Sequence, residues 1–375
     1  MKNKNGDRKF LFICETPLQV LNACRFVLSN SEGSADCSDI CVFRLFRTAE
    51  ETAAHLRNTD IFRRVTEISA FPSHSGIAGK ISTLCRMLMP KHTVKKYAAE
   101  MGQDFLQADY SHVVLCHTTP TARAVRQCFP KAEFLLLEDG TGSYVGNILE
   151  DQKSGMLKAV ERIFPHMGKM FLPKAQYLSN KDIYIGTLEV PVCQLPPLSE
   201  ANIRKVAEVF SYRENTFYGE AEAVFLSQPL EHLGAEAEHT DAEVQALLHD
   251  VFDEKAVIRV HPRQSDMQPL LKRDTLENIW ELECMRQIES RHILAAYCST
   301  AQFMPKILRN EEPILIFLYK LYAGREDAFS ARFEKLIRAF QTCYTDPTRI
   351  SVPETVQELE IILKKQKDKG NESHL

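Results

Sequence analysis

Short apolar runs alternate with amphipathic stretches along most of the chain. A short apolar run between polar or turn residues is typical of a buried strand in a parallel sheet, and apolar residues three or four positions apart are typical of a helix. In the first half of the chain, the predicted strands are Phe10–Glu15, Asp39–Phe46, Ile61–Ser69, His112–His117 and Ala132–Leu137. The predicted helices between them are Pro17–Leu28, Ala49–Asn58, Ile77–Met89, His92–Met101 and Thr121–Cys128.

The pattern weakens at Gly155–Pro197, where prolines separate short extended pieces, and it then returns. The later predicted strands are Ala223–Leu226, Ala256–Val260, His292–Tyr297 and Pro313–Leu318, and the helices beside them are Asn202–Ser211, Thr240–Phe252, Glu281–Ser290, one from Ala301, and Glu354–Leu363. Strands that alternate with helices in both halves predict two Rossmann-like α/β domains that face each other across a cleft. A chain of 375 residues is too long for one compact core. We expect the domains to be residues 1–197 and 198–375.

Composition narrows the class of protein. A hydrophobic content of 44% and a charged content of 26% are those of a soluble globular protein. A net charge of −4 and a pI near 6.3 give no electrostatic basis for nucleic-acid binding. The 11 cysteines are scattered, several within apolar runs, which indicates reduced thiols rather than a disulfide framework.

The ends of the sequence predict a cytoplasmic protein. The first apolar run, Phe10–Cys14, is too short for a signal peptide or a membrane anchor. No stretch reaches the roughly 18 apolar residues that a transmembrane helix needs. The polar segment Lys364–Leu375 is typical of a frayed terminus, and its lysines also allow peripheral contact with an anionic membrane surface as an alternative. The sequence does not decide between a monomer and a homodimer.

The stretch Phe134–Asn147 joins an apolar strand to two acidic residues and a glycine-rich turn. Open α/β sheets bind their ligands at the carboxyl ends of the strands, where Glu138 and Asp139 are expected. Gly140 and Gly142 allow backbone angles and close approach that a side chain would prevent. This stretch therefore predicts an acidic ligand site. The alternative is an ordinary loop after a strand, in which both carboxylates are simply exposed to solvent.

Three predicted strands of the second half lead directly into polar residues. These are Ser227-Gln228-Pro229, His261-Pro262-Arg263 and Cys298-Ser299-Thr300. The hydroxyls of Ser299 and Thr300, at the start of a helix, could hold a phosphate. His261 and Arg263 would add a titratable donor and a fixed cation beside the same anion. Together these ends predict a phosphate site opposite a general base.

Other kinds of catalytic site find little support in the sequence. No D-x-D motif, no phosphate-binding P-loop and no G-x-G-x-x-G after a strand occurs. Cys37 and Cys41 form one pair without a second pair, so a zinc site is not expected. Cys116 and His117 are adjacent on one strand, and their side chains should therefore point to opposite faces. We expect neither a metal nor a nucleophilic triad.

These motifs together resemble the bacterial lipooligosaccharide sialyltransferases, glycosyltransferase family 52. The resemblance spans about residues 10–320, in order and spacing, and its specificity lies in the combination because each motif is short. The matching stretches are ETPLQ at Glu15–Gln19, EDGTG at Glu138–Gly142, FLSQPL at Phe225–Leu230, HPR at His261–Arg263 and CSTA at Cys298–Ala301.

The resemblance implies a metal-independent, inverting transferase of the GT-B type that uses CMP-sialic acid. Its acceptor would be a terminal galactose of a lipooligosaccharide or capsular glycan. Asp139 would take the proton of the acceptor hydroxyl, with Glu138 as the alternative, since such neighbours usually point apart. His261 as imidazolium would protonate or neutralise the departing phosphate.

The remaining roles implied by the resemblance concern substrate binding. Ser299 and Thr300 would hold the phosphate, and Glu281 would bind the nucleotide ribose. Glu283, on the same predicted helix, is the alternative residue for the ribose. The turn from Gly140 to Gly142 would let the acceptor approach the backbone.

The sequence also departs from the family pattern. Some members place the general base just after the proline of the SQP-like motif, where this chain has Leu230 and then Glu231. Glu231 is therefore a second candidate base. Two other hypotheses remain: a hexosyltransferase of the same fold that uses a UDP-sugar, and a non-catalytic glycan-assembly protein. The linkage and the acceptor stay open.

Overall fold

The computed structural model describes residues 8–29, 35–71, 89–98, 100–146, 149, 155, 158, 162, 168–229, 235–261, 264, 267–321 and 328–372. The chain divides into two compact units between Tyr212 and Arg213. Each unit is built on a parallel sheet.

The first unit contains a seven-stranded sheet in the order β3-β2-β1-β4-β5-β7-β9, with every neighbouring pair parallel. A two-stranded parallel sheet, β6-β8, accompanies it. The strands are β1 Phe10–Cys14, β2 Ser38–Phe43, β3 Arg64–Ile68, β4 His112–Leu115, β5 Glu133–Leu137, β6 Val145–Gly146, β7 Ala175–Leu178, β8 Ile185–Gly186 and β9 Val192–Gln194. The α-helices of this unit are α1 Pro17–Ser29, α2 Ala49–Arg57, α3 Pro90–Tyr97, α4 Pro120–Gln127 and α5 Glu200–Val209.

Both faces of the first sheet are buried, which explains its near-continuous apolar runs. Every residue of β1 is buried. Leu11 and Ile13 belong to one apolar core, whereas the rings of Phe10 and Phe12 lie 5.7 and 5.4 Å from that of Phe26 on α1. Alternate side chains of one strand thus pack against different layers.

The second unit repeats the arrangement with a six-stranded parallel sheet, in the order β12-β11-β10-β13-β14-β15. Its strands are β10 Ala223–Leu226, β11 Ala256–Arg259, β12 Lys272–Arg273, β13 Ile293–Ala296, β14 Ile314–Phe317 and β15 Ile350–Ser351. Its α-helices are α6 Ala235–Phe252, α7 Trp280–Arg286, α8 Met304–Arg309, α9 Ala328–Cys343 and α10 Val356–Glu372. The prediction of two Rossmann-like α/β domains is confirmed by these two sheets.

The strand order fixes where ligands are expected. In each sheet the direction of winding reverses beside the first strand of the unit: between β1 and β4, and between β10 and β13. The crevice outside the carboxyl ends of such strands is the usual ligand site of open α/β sheets. The polar residues that follow β1, β4 and β5, and those that follow β10, β11 and β13, are therefore the ones to examine.

The structure differs from the sequence-based expectations in three main places, apart from the short strands β6, β12 and β15, which the sequence does not predict. The weakly patterned stretch Gly155–Pro197 contributes β7 and β9 to the first sheet. The units divide after Tyr212 rather than after Pro197, because α5 packs against α1 and α2 of the first unit. The long helix α9 has no counterpart among the predicted elements. All but the last residue of the predicted helix Ile77–Met89 lies outside the described residues.

Two general features bear on the class of protein. The ten cysteines within the described ranges are all free thiols, as the sequence predicts. None of the helices in the described part of the chain combines the length and the apolar character that crossing a bilayer requires.

Gly140 occupies the turn after β5 in a left-handed conformation, with φ of +73°. A Cβ at this position would also lie 3.4 Å from Leu18 Cδ2, while a Cβ at Gly142 would meet nothing within 4 Å. We expect Gly140→Ala to lower the free energy of unfolding by about 1–2 kcal/mol, because L-residues are disfavoured in this region. Urea unfolding should show a smaller loss for Gly142→Ala, and equal losses would contradict the argument.

Candidate active site

Polar side chains from three strand ends of the first sheet meet at its carboxyl edge. Glu15 follows β1 and accepts hydrogen bonds at both carboxylate oxygens from Thr119 Oγ1, at 2.7 and 2.8 Å. Thr119 follows β4 and caps α4 by accepting from the Ala122 backbone N–H at 3.0 Å. Gln19 of α1 bridges from Glu15 to Asp139, which follows β5. We call Glu15, Gln19, His117, Thr119 and Asp139 the edge cluster.

The adjacent acids Glu138 and Asp139 have different surroundings. Glu138 is fully buried and accepts from Tyr144 Oη at 2.7 Å and from the Ser179 backbone N–H at 2.6 Å. Asp139 is partly exposed. Of the two candidate bases at this turn, only Asp139 is placed to meet a ligand from solvent.

The charge of Glu138 has a buried counterpart in Arg25. The Arg25 side chain is 1% exposed and donates from Nη1 to Asn22 Oδ1 at 3.1 Å and to Ser179 Oγ at 2.5 Å. Burial lowers the pKa of Arg25, and the negative charge of Glu138 opposes that shift. Arg25 thus bonds to Asn22 and Ser179 rather than to the Glu138 carboxylate, and the two buried groups interact through their charges.

Asp139 is held so that one carboxylate oxygen remains available. Oδ1 accepts from Gln19 Nε2 at 2.9 Å, and the Asp139 backbone N–H donates to Ser143 Oγ at 2.7 Å. Among the described residues, none hydrogen-bonds to Oδ2. Burial raises the pKa of Asp139, while the hydrogen bond from Gln19 and the proximity of His117 oppose that shift. A raised pKa improves a carboxylate as a proton acceptor near neutral pH.

The other titratable members of the edge cluster are also perturbed. Burial raises the pKa of Glu15 to about 7, with a further contribution from Asp139. Burial lowers the pKa of His117 against the opposing effect of Asp139, so the imidazole is neutral near pH 7. Its Nδ1 is buried and has no hydrogen-bond partner among the described residues.

The thiol of Cys116, next to His117, lies in the core. It is 2% exposed, and burial raises its pKa well above the ordinary value. A neutral, buried thiol is a poor nucleophile. Cys116 and His117 thus have different environments, but both follow β4, which ends at Leu115, so they are not neighbours on one strand as the sequence predicts.

In the second unit, the ends of β10 and β13 are tied together by Gln228. Its Oε1 accepts from the Cys298 backbone N–H at 2.7 Å, and its Nε2 lies 3.5 Å from Cys298 Sγ. The end of β11 joins them, because the His261 backbone N–H donates to Ser227 Oγ at 2.8 Å. The structure thereby brings His261, partly exposed, to the same edge as the Ser299-Thr300 pair.

The acids of α7 also differ from each other. Glu283 is fully buried and accepts from the side-chain amides of Asn278 at 2.8 Å, of Asn215 at 3.3 Å and of Gln287. Glu281 is partly exposed, and burial raises its pKa against the opposing effect of Arg259. Glu281 rather than Glu283 is accessible to a ligand.

The start of α7 lies beside the Ser299-Thr300 turn. Trp280 Nε1 donates to the Ala301 carbonyl oxygen at 2.9 Å. Ser299 Oγ accepts from the Ala301 backbone N–H at 3.3 Å, and Thr300 is exposed at the start of a 3₁₀ turn. Glu281, Ser299 and Thr300 are thus gathered at one edge of the second sheet.

Two predicted site residues, Glu231 and Arg263, lie outside the described residues. Within the described ranges, three side chains with metal-ligating atoms come within 4.8 Å of one another, those of His249, Asp253 and Glu254. They precede β11, at the edge opposite the strand ends that gather Ser227, His261 and Ser299. This group is separate from the predicted site residues.

Sequence reasoning missed the side chains that hold Asp139. Gln19, Asn22 and Arg25 recur every three residues on a helix that is otherwise apolar, and all three are buried. Asn22 Nδ2 donates to the Glu138 carbonyl oxygen at 3.2 Å. Polar residues at this spacing inside an apolar helix would have indicated a buried polar row, because each such group needs a partner.

The chain matches no protein-family model, and no curated protein is detectably similar to it in sequence. Several solved structures are similar in fold. The spinosyn rhamnosyltransferase SpnG has a TM-score of 0.46 at 12% identity over 96% of this chain and 90% of that chain. The UDP-GlcNAc 2-epimerase from Neisseria meningitidis, bound to UDP-GlcNAc, has a TM-score of 0.47 at 8% identity over 96% and 94%.

The UDP-GlcNAc 2-epimerase from Methanocaldococcus jannaschii has a TM-score of 0.45 at 12% identity, over 95% of this chain and 99% of that chain. At these identities and TM-scores, the similarities assign neither a reaction nor a substrate to this chain. The α/β assignment stands on the two sheets themselves.

The buried role of Glu138 generates a stability prediction. Glu138→Ala removes the acceptor of Tyr144 Oη and of the Ser179 N–H and leaves Arg25 buried without a counter-charge. We expect the free energy of unfolding to fall by about 2–4 kcal/mol, because two buried donors lose their acceptor. Asp139→Ala should cost far less in the same urea unfolding experiment. Similar losses for both variants would contradict the division of roles between the two acids.

Proposed function

We propose that this protein is a glycosyltransferase of the GT-B type that transfers sialic acid from CMP-sialic acid to a terminal galactoside of a lipooligosaccharide or capsular glycan. The transfer inverts the anomeric configuration and needs no metal. In this proposal the first unit serves the acceptor and the second serves the donor. The motif resemblance supports the donor, and the carboxylate of Asp139 supports the reaction type.

The observation that carries the proposal is the environment of Asp139. One oxygen is held by Gln19 at 2.9 Å, and the other has no hydrogen-bond partner among the described residues. Burial raises the pKa of the group. A held, partly buried carboxylate at the carboxyl edge of a parallel sheet has the properties of a general base.

The chemical step follows from these groups. Asp139 takes the proton of the acceptor hydroxyl as that oxygen bonds to the anomeric carbon of the sialic acid. The bond from the anomeric carbon to the CMP phosphate oxygen breaks, and its electron pair leaves with the phosphate. His261 in its protonated form donates a proton to that phosphate or neutralises its charge.

The second unit supplies groups suited to a nucleotide. Ser299 and Thr300 offer hydroxyls to the phosphate, and Glu281 offers a carboxylate to the ribose hydroxyls. Arg263 adds a cation with fixed planar geometry. Ser227 supports this arrangement through its hydrogen bond with the His261 backbone.

Nucleotide binding tests the donor side. Calorimetric titration of the protein in chelator should show CMP binding in preference to UDP, because the proposed donor is a CMP-sugar. His261→Ala and Ser299→Ala should each weaken CMP binding by roughly tenfold, the usual effect of one lost hydrogen bond to a charged group. His239→Ala, which removes an exposed histidine of α6 in the same unit, is the matched control.

The outcomes of that titration separate the alternatives. A preference for UDP, or a requirement for magnesium, would replace the sialic acid donor with a UDP-sugar. The absence of binding to either nucleotide would favour a non-catalytic glycan-assembly role.

Loss of the base tests the reaction itself. With CMP-sialic acid and a galactoside, Asp139→Ala should lower kcat by about 10²–10⁴-fold, the usual contribution of a general base, while CMP affinity persists. Asp60→Ala, an exposed aspartate of the same unit, is the matched control. If Glu231→Ala abolishes transfer and Asp139→Ala does not, the base is Glu231.

A further inference from the structure

Trp280 is the single tryptophan of the chain and lies at the start of α7, where it is 6% exposed. Its indole Nε1 donates a hydrogen bond to the Ala301 carbonyl oxygen at 2.9 Å. Ala301 directly follows Ser299 and Thr300, and Glu281 directly follows Trp280. One side chain therefore connects the turn that carries the proposed phosphate ligands to the helix that carries the proposed ribose ligand.

The indole ring is held by two further side chains. The Tyr218 ring packs edge-on against it, with the ring centroids 5.5 Å apart, and the Arg259 guanidinium lies 5.4 Å from its centroid. Arg259 also donates to the Asn278 carbonyl oxygen, just before α7, and forms an ion pair with Asp274 at 3.2 Å. These contacts fix the position of the ring and thereby the direction of the indole N–H.

The Ala301 carbonyl oxygen has a second donor. The Met304 backbone N–H donates to it within the 3₁₀ turn, and a carbonyl oxygen can accept two hydrogen bonds. The turn is also anchored to the sheet, because Gln302 Nε2 donates to the carbonyl oxygens of Leu294 and Ile316 at 2.8 and 3.0 Å. Loss of the indole donor therefore leaves the turn hydrogen-bonded and removes its hydrogen bond to the start of α7.

A fixed distance between two binding groups matters for a nucleotide, because its ribose and its phosphate are covalently joined. When the protein groups for both are rigidly related, binding of the ribose places the phosphate against its own partners, and the second contact costs little further ordering. When the two protein groups move relative to each other, part of this advantage is lost.

We propose that Trp280 is a positioning residue for nucleotide binding. Its hydrogen bond to Ala301 fixes Ser299 and Thr300 relative to Glu281, so that the ribose and the phosphate of one nucleotide are bound at the same time. This inference rests on the proposed function, since it requires a nucleotide at these residues. Trp280 acts through the turn and needs no contact with the nucleotide.

A comparison of CMP with cytidine tests the positioning role. Trp280→Phe keeps an aromatic ring and removes the N–H donor. Calorimetric titration should show CMP binding weakened by about tenfold, with cytidine binding, measured by displacement of CMP, changed by less than about twofold. The reason is that only CMP engages the ribose ligand and the phosphate ligands together. The ratio of the two affinities should therefore fall by about fivefold or more.

Tyr218→Phe is the matched control for this comparison. It keeps the ring that packs against Trp280 and removes a hydroxyl that donates to Asp274 at 2.9 Å. Urea unfolding should show reduced stability for this variant, while its ratio of CMP to cytidine affinity should match that of the unsubstituted protein. If the ratio falls equally in both variants, the effect of Trp280→Phe is a general loosening and the proposal is wrong.

A double-mutant cycle tests whether Trp280 acts through the turn. If it does, Ser299→Ala should weaken CMP binding less in the Trp280→Phe background than in the unsubstituted protein, because the hydroxyl is no longer held in place. Strictly additive effects of the two substitutions would contradict the proposal.

The fluorescence of the unsubstituted protein gives a test that does not depend on the folding of any variant. Because Trp280 is the single tryptophan, its emission should change saturably with CMP, at the dissociation constant that calorimetry gives. If CMP binds without a change in emission, or binds Trp280→Phe as tightly as the unsubstituted protein, the positioning role fails and the proposed function stands. If neither CMP nor UDP binds, the proposed function fails as well.

Discussion

The buried polar row of α1 is the constraint on which the rest of the first unit depends. Helix α1 lies within the core, and Gln19, Asn22 and Arg25 are all buried with it. Buried polar groups must find partners. Their partners include the turn after β5, through Asp139 Oδ1 and the Glu138 carbonyl oxygen. The hydrogen bonds that satisfy the buried polar groups of α1 therefore also fix the orientation of Glu138 and Asp139.

That fixed turn gives neighbouring acids different properties. Glu138 is fully buried, and its Oε2 accepts two hydrogen bonds while its Oε1 has no partner in the described part of the chain, so its role is structural. Asp139 receives one donor and retains one open oxygen. Gly140, with its left-handed φ, lets the chain turn away directly after the pair. These neighbours in the chain thus differ, because Glu138 is a buried structural carboxylate whereas Asp139 keeps one oxygen open to a ligand.

The sequence predicts the strands of both sheets best where they are central and buried on both faces. Strand β10 begins and ends where the apolar run Ala223–Leu226 predicts. Strands β7 and β9, at one side of the first sheet, are not predicted because short strands among prolines and glycines carry a weak pattern. The boundary after Tyr212 was also missed, since α5 belongs to the first unit through its packing and not through any local signal.

The candidate site is predictable in part for the same reason. Polar residues that directly follow apolar runs, such as Asp139 and His261, are visible because parallel strands end at one edge of a sheet. Gln19 and Glu15 act through tertiary contacts across more than one hundred residues of sequence, as in the bond from Gln19 to Asp139. No local pattern encodes which end of an amide faces which carboxylate. The resemblance highlighted the stretch that contains both residues without giving either a role.

The two sheets share a strand order around their first strands but gather different kinds of side chain at their carboxyl edges. At the reversal beside β1, the side chains include two carboxyl groups whose pKa values burial raises, which suits proton abstraction. At the reversal beside β10, the side chains are amides, hydroxyls and an imidazole, which suit an anion. A carboxylate pair beside a phosphate would oppose its binding by like-charge repulsion, and an imidazolium beside the base would lower its proton affinity. In the proposed function, the carboxylates of the first sheet deprotonate one substrate and the groups of the second sheet bind the departing anion of the other, so placing them on separate sheets avoids both conflicts.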